Sequence, residues 1–458
     1  MKIFKNKKRK YIIISGLVSA FAIIGLCITY YNFISKEEPL IGAYIDGTYS
    51  ETLPLKGSGY AVEKVVCDNN KNASWDYDKW GIKLSNWGAR SRCNIYFKSL
   101  ETITIANKTF YLDEIQRCPT MNSDGTVTVT GAEDTYGYLC KAKDAYGDSY
   151  YYRGNVTNNY VKFGTWASDT PTSFVDSDGN KYDSYDDCID SGNGGDCTEL
   201  ALAGKDMYWR IVRINGDGTV RVIYDGTSAH ANGDESTDRQ IGFSRFNSSY
   251  NDNAYVGYMY GKIGASTYAE THANTNNSTI KTYIDTWYEN NIKGTNNEQY
   301  IADNIFCNDR SFASNNSGTG AGTSTTYYRW YNFADNSNNN KMMLTCPQKN
   351  DAFTVNDINK GNGALTYGVG LVTTDEVILA GGWSSRNSNY YLCSGWYYWT
   401  MSPSYFDGNS ASERRVSITV MAVDSGIMYN RTETRPVINL SSEILKNGNG
   451  TASDPYHV

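Results

Sequence analysis

The sequence predicts a β-rich α+β protein behind an N-terminal transmembrane helix. Three observations carry this: an uncharged apolar run behind a basic tail, many short β-branched or aromatic runs broken by Asn, Gly and Asp, and only two segments of helical periodicity.

Lys2, Lys5, Lys7, Lys8, Arg9 and Lys10 crowd the tail, and Tyr11 to Ile34 contains no charged residue. Roughly 20 apolar residues cross a hydrocarbon core, so this run is long enough to span with some tilt. A basic flank stays on the cytoplasmic side, while Tyr30, Tyr31 and Phe33 suit the outer interface. The expectation is a cytoplasmic tail at 1–10, a span at 11–34, a linker at 35–42 and an extracellular remainder in a single-pass cell-membrane protein. Its first partner is then the lipid bilayer. A cleaved signal peptide fits less well, because the run exceeds an h-region and no A-x-A-like site follows. A lipoprotein reading through Cys27 meets Leu26 where a small residue is expected.

The formal charge is −7, and setting aside the six basic residues of the tail leaves −13 on residues 11–458. That sign lacks the basic footprint of a nucleic-acid binder, so no nucleic-acid partner is expected. The 39 Tyr against 14 Phe favour wet contact surfaces, since a phenol pairs a contact ring with a polar tip. Nine cysteines lie outside the span, and an oxidising compartment makes sequential pairing economical: Cys67 with Cys93, Cys118 with Cys140, Cys188 with Cys197, Cys307 with Cys346. Cys393 is left over. With no C-x-x-C and only His230, His272 and His457, a structural zinc site is not expected.

Along the chain, 43–98 reads as a small β module stapled by Cys67 and Cys93, 99–149 as a β neck and 150–458 as a larger C-terminal domain. The strongest hairpin signal is Tyr208–Gly226, where Asn-Gly-Asp-Gly supplies a tight turn and the flanking alternation is expected to bury one face. Thr227–Asn277 and Ala313–Thr326 read as surface loops. The first helix places Ile280, Tyr283, Ile284 and Trp287 at i, i+3, i+4 and i+7, between the cap Ser278 and the stop Gly294. The second opens on a Thr373–Glu376 capping box and ends at Gly381.

Leu371, Thr373, Glu376, Ala380 and the closing glycines resemble a stretch of formylglycine-generating-enzyme-like and C-type-lectin-like domains, with Val372 and Val377 replacing a family proline and tryptophan. "YWRIVRINGDGTVR", "IFCNDRS", "CPQKNDAFTV", "YYWTMSPSYF" and "RPVINL" resemble more closely a domain-of-unknown-function family from surface proteins of low-GC Gram-positive bacteria. The resemblance runs from about Tyr150 to the end and implies a C-type-lectin-like C-terminal domain. The oxidase chemistry of the formylglycine enzymes needs paired cysteines in the closing region, where only Cys393 stands, so it does not carry over.

No G-x-S-x-G, H-E-x-x-H or P-loop occurs, and no carboxylate pairing is identifiable, so no catalytic residue is assigned. Asp176, Asp178, Asn180 and Asp187 fall at positions one, three, five and twelve of a calcium-like loop. Lys181 stands where an EF-hand requires glycine, and a plain acidic turn is the competing reading. No other cofactor is expected. Of the aromatic runs, Trp330 and Trp399 read as core, while Trp383, Trp396 and Tyr398 are the candidates for an exposed ligand patch. Together these features imply an extracellular binding or adhesion module for a glycan, peptide or protein. The alternatives are an envelope enzyme such as a hydrolase, or a structural envelope component.

Overall fold

The structure, a computed structural model, describes residues 41–68, 73–77, 79–84, 92–113, 117–176, 181–190, 197–331, 340–383, 387–416 and 423–458. The expected tail and span lie outside these residues. Among the described residues no helix is long and apolar enough to cross a membrane. The fold is β-rich and divides into two compact units, up to Leu100 and from Glu101 onward.

The first unit is a four-stranded sheet of β1 (Ile41–Ile45), β2 (Thr48–Ser50), β3 (Tyr60–Cys67) and β4 (Cys93–Ser99) in the order β2-β1-β4-β3. Its core is small: Ala43, Val62, Ile95 and Phe97, with Trp75 and Trp80 packed against them. So little apolar volume needs a staple, and the Cys67–Cys93 disulfide joins directly paired residues of β3 and β4.

The second unit is built on a nine-stranded sheet. Its strands are β5 (Glu101–Ile105), β6 (Lys108–Leu112), β7 (Gly137–Asp144), β8 (Gly147–Gly154), β9 (Tyr160–Thr165), β10 (Asp206–Ile214), β11 (Val220–Gly226), then β13 (Val369–Gly370) and β18 (Val437–Leu440), with β12 (Phe243–Arg245) in the second sheet between them. The order is β13-β18-β11-β10-β8-β7-β6-β5, with β9 also on β10. Residues 99–149 are therefore not a separate neck. The β7–β8 hairpin runs across the expected boundary at Tyr150, and Tyr150 itself pairs with Ile214 of β10.

The second sheet gathers β14 (Tyr398–Phe406), β15 (Ala411–Val416), β16 (Val423–Ile427) and β17 (Arg431–Glu433) with β12. Short helices form at Tyr185–Asp190 and Tyr268–Thr271, and the two helices expected from the sequence are α1 (Thr279–Asn291) and α2 (Thr374–Leu379). Both begin as their sequences dictate. The Ser278 hydroxyl accepts from Lys281 N, and Thr373 and Glu376 form both bonds of a capping box.

The Tyr208–Gly226 hairpin forms, closed at Gly218 with φ +83°. Its burial differs from expectation, because both faces are covered. Arg210, Arg213 and Arg221, charged side chains in the middle of the hairpin, are buried and matched by Asp225, Asp144 and Glu376. Thr227–Asn277 is likewise no surface loop, for Phe246, Val256, Tyr258 and His272 are all buried. Trp330 and Trp399 are core.

The four disulfides pair sequentially, and Cys393 is a buried free thiol. Alkylation in denaturant without reductant should therefore label Cys393 and leave the eight disulfide-bonded cysteines protected. Peptide mapping that finds Cys393 bridged would contradict this pairing.

Candidate ligand-binding site

The chain after β9 turns across α1. On α1, Tyr283, Thr286, Trp287 and Asn290 stand at i, i+3, i+4 and i+7 and so share one stripe. That stripe faces Trp166–Pro171, and the two walls, with Ile241, line an open cleft of about 370 Å³. Asn291 ties the walls, its Oδ1 accepting from Ala167 N at 3.0 Å.

The floor is aromatic. Trp166 and Trp287 are each only 6% exposed and meet edge-to-face at 6.3 Å, and both pack on Tyr224. The Trp166 indole N–H donates to the Tyr224 hydroxyl at 3.1 Å. Tyr283 remains half-buried, its hydroxyl donating to Ile241 O at 3.1 Å, and burial pushes its phenol up to about 12. At the rim, Asp169 and Asn290 are exposed and their side chains make no hydrogen bond among the described residues.

The sequence candidates are scattered. Tyr398 is fully buried, its hydroxyl donating to Leu392 O and its ring under Arg435, which corrects the expectation of an exposed ring. Strand pleating explains it: Tyr398 opens β14, which is covered on both faces. Trp396 is half-buried and donates to Glu235 O at 2.8 Å, while Trp383 packs against the main core. Of the calcium candidates, Asp178 and Asn180 lie outside the described residues. Asp176 accepts from the Tyr182 hydroxyl, and Asp187 accepts from Ser184. Sequence reasoning placed Trp287 on α1 but missed its juxtaposition with Trp166. The unbroken polar stripe at Thr286 and Asn290 beside it was the available signal.

Two polar clusters elsewhere invite a catalytic reading. Arg213, Arg221, Arg329, Asp309, Asp375 and Glu376 surround a cavity of about 20 Å³, room for roughly one water. Every one of these charges is paired with another, as in a structural network. His230 is more suggestive, with Nδ1 at 3.0 Å from Asp234 and Nε2 at 3.4 Å from the Ser228 hydroxyl. However, Nε2 also meets Asp238 Oδ1 at 2.8 Å. Burial pulls the imidazole down, but the hydrogen bond and charge of Asp238, then Asp234, then Asp225, outweigh it and leave it raised. An imidazolium held on both nitrogens by carboxylates cannot take a proton from serine, so His230 clamps the loop instead of activating a nucleophile.

Because the folded value is raised, this clamp stabilises the protein fully below the unfolded value of 6.5 and is lost as pH rises through the folded value. The melting temperature of the wild type, referred to His230→Gln at each pH, should fall across that window. A pH-independent difference would mean that His230 carries no charge in the fold. Referring to the variant also removes Lys181 and Glu433, which burial moves in opposite directions to about 8.

No protein-family model matches the chain, and neither a curated protein nor a solved structure matches it.

Proposed function

We propose that this chain is a single-pass, membrane-anchored extracellular protein that binds a ligand in the cleft between Trp166–Pro171 and α1. The cleft is the observation that carries the reading. It is open, aromatic at its floor, and rimmed by polar groups that the fold leaves unengaged. Such a mixture suits recognition more than turnover, since Asp169 is the one carboxylate among the lining residues and acid–base chemistry wants a positioned pair or a histidine.

A C-type-lectin-like head from Tyr150 onward is part of this proposal. In its support, the segments that carry the resemblance converge in one core: β11 pairs with β18, Phe306 with Phe353, and Thr374 N of α2 donates to Ser402 of β14. The basic tail and uncharged run support the anchor. External protease on intact cells should digest the chain beyond about Lys36, and protection until the cells are opened would reverse the orientation.

Filling the cleft tests the site. Thr286 is exposed on α1, so Thr286→Trp should leave the melt unchanged while weakening ligand binding by ~1–3 kcal/mol or more, the scale of losing a contact hot spot. Full-length chain in detergent micelles, probed against glycan and peptide arrays, gives the readout. Unchanged binding would remove the cleft from consideration.

A further inference from the structure

We infer that the cleft takes an uncharged saccharide, an inference that rests on the cleft being the ligand site. Its volume of about 370 Å³ suits a small ligand of ring size or a little larger. Tyr283 offers a partly exposed ring beside the indole floor, so the apolar C–H face of a sugar finds a surface to lie on.

The rim matches the other side of such a ligand. A carboxylate accepts only, and an amide both donates and accepts, which together satisfy neighbouring hydroxyls that do both. Asp169 and Asn290 provide this combination, and neither is engaged within the described fold. Thr170, Thr286 and Asn291 already donate to the Ala167, Thr282 and Trp287 carbonyls, leaving Asp169 and Asn290 as the groups free to choose a partner.

Charge narrows the class. The lining residues include no Lys, Arg or His, so a phosphate, sulfate or uronate would meet Asp169 without a compensating cation. Lys181, beside Ile241, gives its amine to the Ile241 carbonyl at 3.2 Å, and burial draws it down to about 8. An organic cation would want a cage of open ring faces, but Trp166 and Trp287 are turned edge-to-face into the floor, with Tyr283 the one partly exposed ring.

The test uses full-length chain in detergent micelles. Saturation-transfer NMR and array binding compare neutral oligosaccharides (maltotriose, lactose, diacetylchitobiose and a printed neutral-glycan panel) with sialylated and sulfated glycans, peptides and tetramethylammonium. The expected result is binding of neutral members, weakened about tenfold by Asp169→Asn, the scale of one hydrogen bond to a charged group, and abolished by Thr286→Trp. Binding confined to acidic glycans, peptides or the ammonium probe, or no binding by any neutral member, overturns the saccharide assignment. When Thr286→Trp blocks that other class, the cleft reading survives and only the ligand class fails. Neutral-glycan binding indifferent to both substitutions overturns the cleft itself.

Discussion

Glu376→Ala is expected to destabilise the second unit by ~3–5 kcal/mol, the range for removing one partner of a buried ion pair. Glu376 Oε1 lies 3.0 Å from Arg213 Nε and 2.6 Å from Arg221 Nε, and Oε2 accepts from Thr373 N at 2.9 Å. Arg213 keeps Asp144 at 2.7 Å after the substitution, but Arg221 loses its ion pair while remaining buried in the sheet. The capping box of α2 loses its reciprocal bond from Thr373 N as well, while the Thr373 hydroxyl still caps residue 376 N. Burial works to raise the Glu376 carboxyl, yet Arg221 and Arg213 outweigh it and hold it below its ordinary 4.5. Its contribution is therefore complete above that value and lost as pH falls through the lower folded value. Urea unfolding of wild type, Glu376→Gln and Glu376→Ala should show graded losses, with the wild-type advantage over Gln shrinking in acid. A loss below ~1 kcal/mol for Ala would show that the Arg221 guanidinium finds water or another partner.

What the sequence made legible was local. Ser278 and Thr373 cap helices through bonds three residues away, the Asn215–Gly218 turn closes its own hairpin, and each disulfide joins consecutive cysteines from Cys67 onward. The site was illegible because its walls come from distant segments: nothing near Trp166 announces that it will meet Trp287. The buried arginines were illegible for a related reason. Alternation assumes a sheet covered on one face, and a sheet covered on both turns Arg210, Arg213 and Arg221 into interior residues whose acidic partners lie elsewhere in the chain. Tyr398 failed as a surface candidate on the same ground, since an aromatic strand reads alike whether one face or both are covered.

Asp225→Ala should cost a similar ~3–5 kcal/mol, and it carries a second readout that Glu376 lacks. Asp225 Oδ1 receives Arg239 at 3.0 and 2.7 Å and Arg435 at 2.5 Å, while Oδ2 stands 3.9 Å from Arg210. Three buried guanidiniums thus converge on one carboxylate at the end of β11. Two of them reach onward to the segment before β14, Arg239 donating to Cys393 O at 3.2 Å and Arg435 to Leu392 O at 3.1 Å. Without the carboxylate the guanidiniums repel one another and gain by moving toward water, which draws away the donors that hold Leu392 and Cys393 in place. The buried Cys393 thiol then becomes the reporter. Maleimide should label it in native Asp225→Ala much faster than in the wild type, and Asp225→Asn, which keeps an acceptor but not the charge, should fall between. Rapid unfolding alone would expose every buried group alike, so the decisive comparison is Glu376→Ala at matched stability. If both variants label Cys393 equally fast, the Asp225 cluster does not specifically hold that segment, and the arginines serve only the core.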